Sequence, residues 1–165
     1  MIADANFRRN VLSHANRPEL IEAVRAVYAE LQQAIDERQP ICQISGRCCR
    51  FEEYGHRLFI TTLEMAVLVS EPGFGEKLAK SVDGWDGKGC SFQKRKLCGL
   101  HSIRPFGCRI FFCDPTASEW QSGQYEHFHQ RIQELHRRFE VPYAYVEWRS
   151  ALAAMSDSCI SIPNQ

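Results

Sequence analysis

The chain lacks an excess of either charge: 20 Lys and Arg balance 20 Asp and Glu over 165 residues. A protein that grips nucleic acid through its general electrostatic field needs a basic face, so that class is set aside. The one basic run, Lys94-Arg95-Lys96, reads as a solvated loop tip. No apolar stretch is long enough to span a bilayer. The opening residues Met1–Arg9 carry no apolar core of a secretory leader, so the expected compartment is the reducing cytoplasm, where disulfides are uncommon. A phosphate-binding glycine loop is also missing. Asp83–Gly89 is glycine-rich, but lacks both the spacing and the strand-before, helix-after setting, and reads as a connector. Neither a Ser/His/Asp set nor a pair of catalytic carboxylates can be argued from position, so a hydrolase has no specific support. No internal repeat or low-complexity tract appears. Finally, the Cys-x-x-Cys knuckle of zinc ribbons is absent.

What is present is thiol. Seven of the eight cysteines fall between positions 42 and 113: Cys42, Cys48, Cys49, Cys90, Cys98, Cys108 and Cys113. Cys159 stands apart and reads as a buried or terminal free thiol. Such a concentration has three explanations: a metal or cluster site, disulfides, or packing. A domain of this length buries enough core to need no disulfide staples, and its cysteine content is below that of small disulfide scaffolds. Metal or cluster binding is therefore the leading reading. Four thiolates close a tetrahedral zinc site or hold an iron–sulfur cluster such as 4Fe-4S. Adjacent Cys48 and Cys49 point different ways in most backbone conformations, so one is expected to ligate while the other packs or serves elsewhere.

Four thiolates on a dication leave a charge of about −2, which a partly buried site must offset. Arg104 and Arg109 bracket Cys108 and are expected to balance the sulfur charge from behind the ligands. Pro105 holds Arg104 extended and stiffens the approach to Cys108. Arg47 and Arg50 flank the first thiol pair and are as readily ordinary surface arginines. His101, three residues after Cys98, is a lesser candidate ligand. His129 and His136 lie seven apart on one helix and are read as surface or boundary residues.

The predicted fold is mainly α, or α+β with a small strand pair: about four helices around an irregular cysteine-rich segment. A single domain is expected over 1–165, with the cysteine core at 41–115 and C-terminal helices over 116–156. Residues 1–15 read as an arm or irregular lead-in. From Pro18 to about Arg38, Leu20, Val24, Val27, Leu31 and Ile35 form one amphipathic stripe with Asn16 as N-cap, and Pro40 ends the helix. Arg57–Thr61 has strand character. Thr61-Thr-Leu-Glu64 reads as a capping box opening a helix to about Val69, with Glu64 either structural or functional. A short helix is expected near Lys77–Ser81. A hairpin is expected from Cys90-Ser-Phe and Lys96-Leu-Cys98. Thr116 and Glu119 suggest a second capping box, which opens the longest helix, with Phe128, Ile132, Leu135 and Phe139 facing the core. A last helix is expected from Tyr143 to about Met155, with a tail after it.

The Gly46-Arg-Cys-Cys-Arg50 knot with Thr61-Thr-Leu-Glu64, followed by Cys90, Cys98 and Arg104-Pro105-x-x-Cys108-Arg109-x-Phe111, resembles the YkgJ-type cysteine-cluster family. That family is described as zinc- or iron-chelating and is related to flagellin lysine N-methylases. The resemblance covers about residues 41–115. It implies an iron–sulfur cluster or zinc held by thiolates, with Cys42, Cys49, Cys98 and Cys108 as the minimal ligand set, then Cys48 and Cys90, then Cys113. The family commonly carries Cys-x-x-Cys-x-x-Cys-Cys, and this chain has Ser45 at the second cysteine. Either that thiol is inessential, or Cys113 or His101 replaces it. The implied function is a cytoplasmic metal-binding protein linked to redox or protein-modification chemistry, with a protein as substrate or partner. Two alternatives remain open: a non-catalytic zinc-stabilised interaction module, and a methyltransferase-like enzyme acting on protein lysine.

Overall fold

Helix α4 (Thr62–Ser70) carries apolar residues round its circumference, and both apolar clusters of the described residues draw on it. The computed structural model describes residues 5–156. An amphipathic helix buries one stripe, whereas one that is apolar all round must be covered on all sides. Accordingly every residue from Thr62 to Leu68 is buried. Met65, Ala66 and Leu68 enter one apolar cluster and Leu63 and Val67 a second, so α4 is the shared wall of two half-cores.

The first half-core takes Phe7 and Val11 from α1 (Ala5–His14), Phe74 and Leu78 from α5 (Phe74–Val82), and Trp148 and Leu152 from α8 (Trp148–Met155). Cys90 and Cys98 pack on its edge. The second half-core joins α2 (Pro18–Arg38) to α6 (Phe106–Ile110) and α7 (Ser118–Arg138) through Leu31, Ile35, Phe106, Ile110 and Ile132. A four-residue α3 (Phe51–Tyr54) follows a single 3-10 turn over Arg47–Cys49.

Two small antiparallel pairs complete the described residues. Strand β1 (Phe59–Thr61) pairs with β4 (Tyr145–Glu147), Ile60 opposite Val146. Strand β2 (Gln93–Lys94) pairs with β3 (Leu97–Cys98), with the basic run at its tip. The expectation of a mainly helical chain with little sheet holds, but with eight α-helices among the described residues rather than four. Residues 5–14 are helical, not irregular, because Phe7 and Val11 lie four apart and dock on the first half-core. α2 opens on Arg17 rather than Asn16, with no side-chain cap, and closes on Gln39 in the left-handed region. The second capping box does not form. Asp114 instead accepts from Thr116 N–H at 2.9 Å and starts a 3-10 turn ahead of α7. Tyr145 lies in β4, so the last helix starts later than its apolar spacing suggested. Cys159 and the C-terminal tail lie outside the described residues.

His136 on α7 is buried at 2 % exposure, not at the boundary as expected. Its Nδ1 lies 3.1 Å from the Val141 carbonyl, to which it donates, while Nε2 is buried without a partner. Burial disfavours the charged ring and pulls its pKa down to about 4, with His14 and His129 adding to the effect and the Val141 carbonyl opposing it. The neutral ring must gain a proton on unfolding as the pH falls from 6.5 toward 4. Stability is therefore fully present above pH 6.5 and lost as the pH drops through that window. The expected result is about 2 kcal/mol less stability at pH 5 than at pH 7. His136→Leu should flatten that slope in urea titrations at the two pH values; an unchanged slope would assign it to other groups.

Candidate metal centre

Adjacent cysteines on an extended strand would face opposite ways. Here the Arg47–Cys49 3-10 turn, entered through Gly46 at φ +73°, brings both side chains to one side, with Cys48 and Cys49 Sγ 4.0 Å apart. This corrects the expectation that the two thiols diverge. Cys49 is the buried member and the hub. The thiols of Cys90 and Cys98 also act on its proton, although only the Cys48 contact meets hydrogen-bond geometry.

Cys90 is delivered by a close backbone approach: its N–H donates to the Cys49 carbonyl at 2.8 Å. Gly89 permits this, because it sits at φ +58° and a Cβ there would meet that carbonyl oxygen at 2.7 Å. Trp148 then supplies an indole N–H to Cys90 Sγ at 3.3 Å. Cys98 comes from β3, whose hairpin is tied to the first loop by Gln93 Nε2 donating to the Gly46 carbonyl at 2.9 Å. Cys108, on α6, is near enough that the Cys90, Cys98 and Cys48 thiolates raise its pKa further, after burial, the larger cause.

Contact with Cys48 first, then Cys90 and Cys98, pushes the Cys49 thiol far up. Cys49 in turn lowers Cys48 to about 7 and Cys98 to about 6, and lowers Cys90, each against an opposing burial cost. Arg104 adds positive charge beside Cys48, Cys98 and Cys108, and its Nε is buried without a hydrogen-bond partner. Arg104 thus stands where a charge-balancing cation is expected.

Arg109 is placed differently. Its guanidinium lies over the Tyr28 ring at 4.6 Å and donates to the Ser102 carbonyl at 3.2 Å, on the side of α6 that faces α2. Cys42 is exposed and outside the thiol group. Cys113 touches Ser45, Sγ to Oγ 3.2 Å, so a thiol does stand beside the position where the resemblance expects one. His101 is exposed, with its pKa lowered first by Arg104. Arg47 and Arg50 both stack on Tyr54, and Arg50 also pairs with Glu53.

Glu64 is fully buried and does more than close the capping box. Its carboxylate accepts from Thr61 N–H at 3.2 Å, Thr61 Oγ1 at 2.9 Å, Tyr28 Oη at 3.1 Å and the Phe106 N–H at 2.9 Å. One carboxylate thus caps both α4 and α6 and fixes the helix that carries Cys108. Burial raises its pKa against these four hydrogen bonds.

The seven described cysteines are all free thiols. Among the described residues no three His, Cys, Asp or Glu side chains stand as a group that would hold one metal ion. A single zinc needs its thiolates at tetrahedral spacing, whereas in a polynuclear cluster the ligand thiolates are spread over several irons and sit farther apart. The donors are all soft sulfur, a set that suits either zinc or an iron–sulfur cluster, with the half-buried Arg104 beside them. No family model, curated protein or solved structure matches this chain.

Proposed function

We propose that the protein is a cysteine-cluster metalloprotein holding an iron–sulfur cluster through Cys49, Cys48, Cys90 and Cys98, with Cys108 as the neighbouring thiol. The supporting observation is the convergence on Cys49 of thiols from segments more than forty residues apart. The resemblance to the YkgJ-type family points to the same chemistry, with zinc as its other occupant. Cys42, in the ligand set that the resemblance implies, is given no place in this one.

When bound, the cluster would supply redox or Lewis-acid chemistry. The chain's own contributions are separate from it. Trp148 donates to the sulfur of Cys90, Arg104 offsets thiolate charge, and the surrounding apolar side chains limit access of water. Hydrogen bonds and cations at cluster sulfurs favour the more negative, reduced state. Trp148→Phe keeps an aromatic ring at this position and removes one donor, so it is expected to lower the reduction potential in protein-film voltammetry. An unchanged potential would remove the indole from this role.

The test of the proposal is anaerobic purification followed by metal and sulfide analysis. Iron with matching inorganic sulfide is the expected result. Zinc alone would move the reading to a structural ion, and a metal-free protein with freely titrating thiols would end it.

A further inference from the structure

A cavity of about 380 Å³ opens beside the thiols, within the size range of small-molecule sites. Its wall is apolar, formed by Leu58, Phe59, Ile110, Phe111 and Tyr125, with Cys48 and Cys108 also in the lining. Phe111 is 39 % exposed and is backed by the His56 ring, stacked at 5.2 Å. Gly107 keeps the wall thin, since a Cβ there would meet Leu58 Cδ1 at 2.9 Å.

The polar groups of this wall are largely committed elsewhere. Gln121 Oε1 accepts from Phe112 N–H at 2.6 Å, Ser122 Oγ donates to the Ser118 carbonyl at 3.2 Å, and the Tyr125 hydroxyl meets that of Tyr145. Two charged lining residues are not committed. Arg57, in the loop before β1, and Glu126, on α7, are exposed and form no ion pair among the described residues.

We propose that this cavity binds a free α-amino acid with an aromatic or large apolar side chain. The side chain fills the apolar space against Phe111 and Tyr125, the carboxylate meets Arg57, and the ammonium meets Glu126. The two opposite charges select the zwitterion. A simple carboxylic acid would face Glu126, a simple amine would face Arg57, and an uncharged ligand would use neither. Aromatic side chains are favoured because both walls present ring faces or edges. Exposed ion pairs are weak, so affinity rests chiefly on burial of the side chain, with the charges setting the choice of ligand. The inference does not depend on the metal, although a bound ligand would lie against two thiols.

Calorimetry on the full chain, metal-loaded and after chelation, tests it with four probes: L-phenylalanine, 3-phenylpropionate, phenethylamine and glycine. Phenylalanine is expected to bind, with the other three at least tenfold weaker. Arg57→Gln and Glu126→Gln should each weaken phenylalanine about tenfold. Ser122→Trp, on the exposed face of α7, should block it while leaving the circular dichroism spectrum and Tm unchanged. The proposal is overturned if phenylalanine fails to bind, if either half-ligand binds as tightly, or if Ser122→Trp binds phenylalanine as the parent does. A chain that lacks metal yet binds phenylalanine would sink the cluster reading alone, and a loaded chain that ignores phenylalanine would sink this one alone.

Discussion

Cys49→Ser is expected to remove more than nine tenths of the bound metal, whereas Cys42→Ser leaves the load unchanged. Cys49 is buried at 7 % exposure, lies 4.0 Å from the Cys48 sulfur, and is the thiol on which Cys90 and Cys98 also act. A serine hydroxyl is a hard, protonated donor that does not replace a soft thiolate on iron or zinc. Cys42 has the same chemistry but is exposed and outside the group. Because metal binding to such a site is coupled to folding, the Cys49 variant should also melt earlier than the parent, toward the temperature of the chelated protein. Metal per chain, determined on anaerobic preparations of both variants, decides the matter. Full load in Cys49→Ser with loss in Cys42→Ser would move the centre away from Cys49 and dismantle the present assignment.

Glu64→Ala should cost about 3–5 kcal/mol of folding stability, a large part of the 5–15 kcal/mol typical of a domain. The carboxylate is fully buried and serves four donors, of which the Phe106 and Thr61 N–H groups and the Tyr28 hydroxyl would lose their acceptor together. Each buried donor left unpaired costs about 1–3 kcal/mol, and partial entry of water keeps the total below the sum. Glu64→Gln retains one acceptor and turns the other end into a donor facing donors, so a cost near 2 kcal/mol is expected. Urea midpoints at constant slope measure both. Since Glu64 also caps the helix bearing Cys108, the alanine variant should load metal less completely even below its unfolding transition. A loss under 1 kcal/mol would show that neither helix depends on the carboxylate.

Those features that rest on neighbours in sequence were legible there. The stripe from Leu20 to Ile35 marks α2, the Thr61–Glu64 box marks the start of α4, and the strand character of Arg57–Thr61 and the hairpin before Cys98 fall where the structure has β1 and the β2–β3 pair. What escaped depends on distant partners. Tyr145, Trp148 and Leu152 fit a helical face, yet pairing with β1, more than eighty residues earlier, draws Tyr145 into a strand. α6 is five residues long, too short to show a period. The thiols as a class were evident from their clustering, but proposing Cys48 and Cys90 over Cys42 required knowing that a 3-10 turn brings Cys48 beside Cys49 and that Gly89 lets two backbones touch. Trp148 was marked by its helical spacing only as a core residue, and Arg57 and Glu126 had no local pattern to mark them.

The indole of Trp148 reaching Cys90 sets an order of events during synthesis. Cys48 and Cys49 leave the ribosome long before β4 and Trp148 exist to brace the group, and β1 waits equally long for its only partner strand among the described residues. Until then the thiols are solvent-accessible and open to oxidation or to adventitious metal. If the proposed cluster is held there, its insertion is expected to follow the emergence of Trp148, and chains truncated before residue 145 should accumulate with reactive, unloaded cysteines.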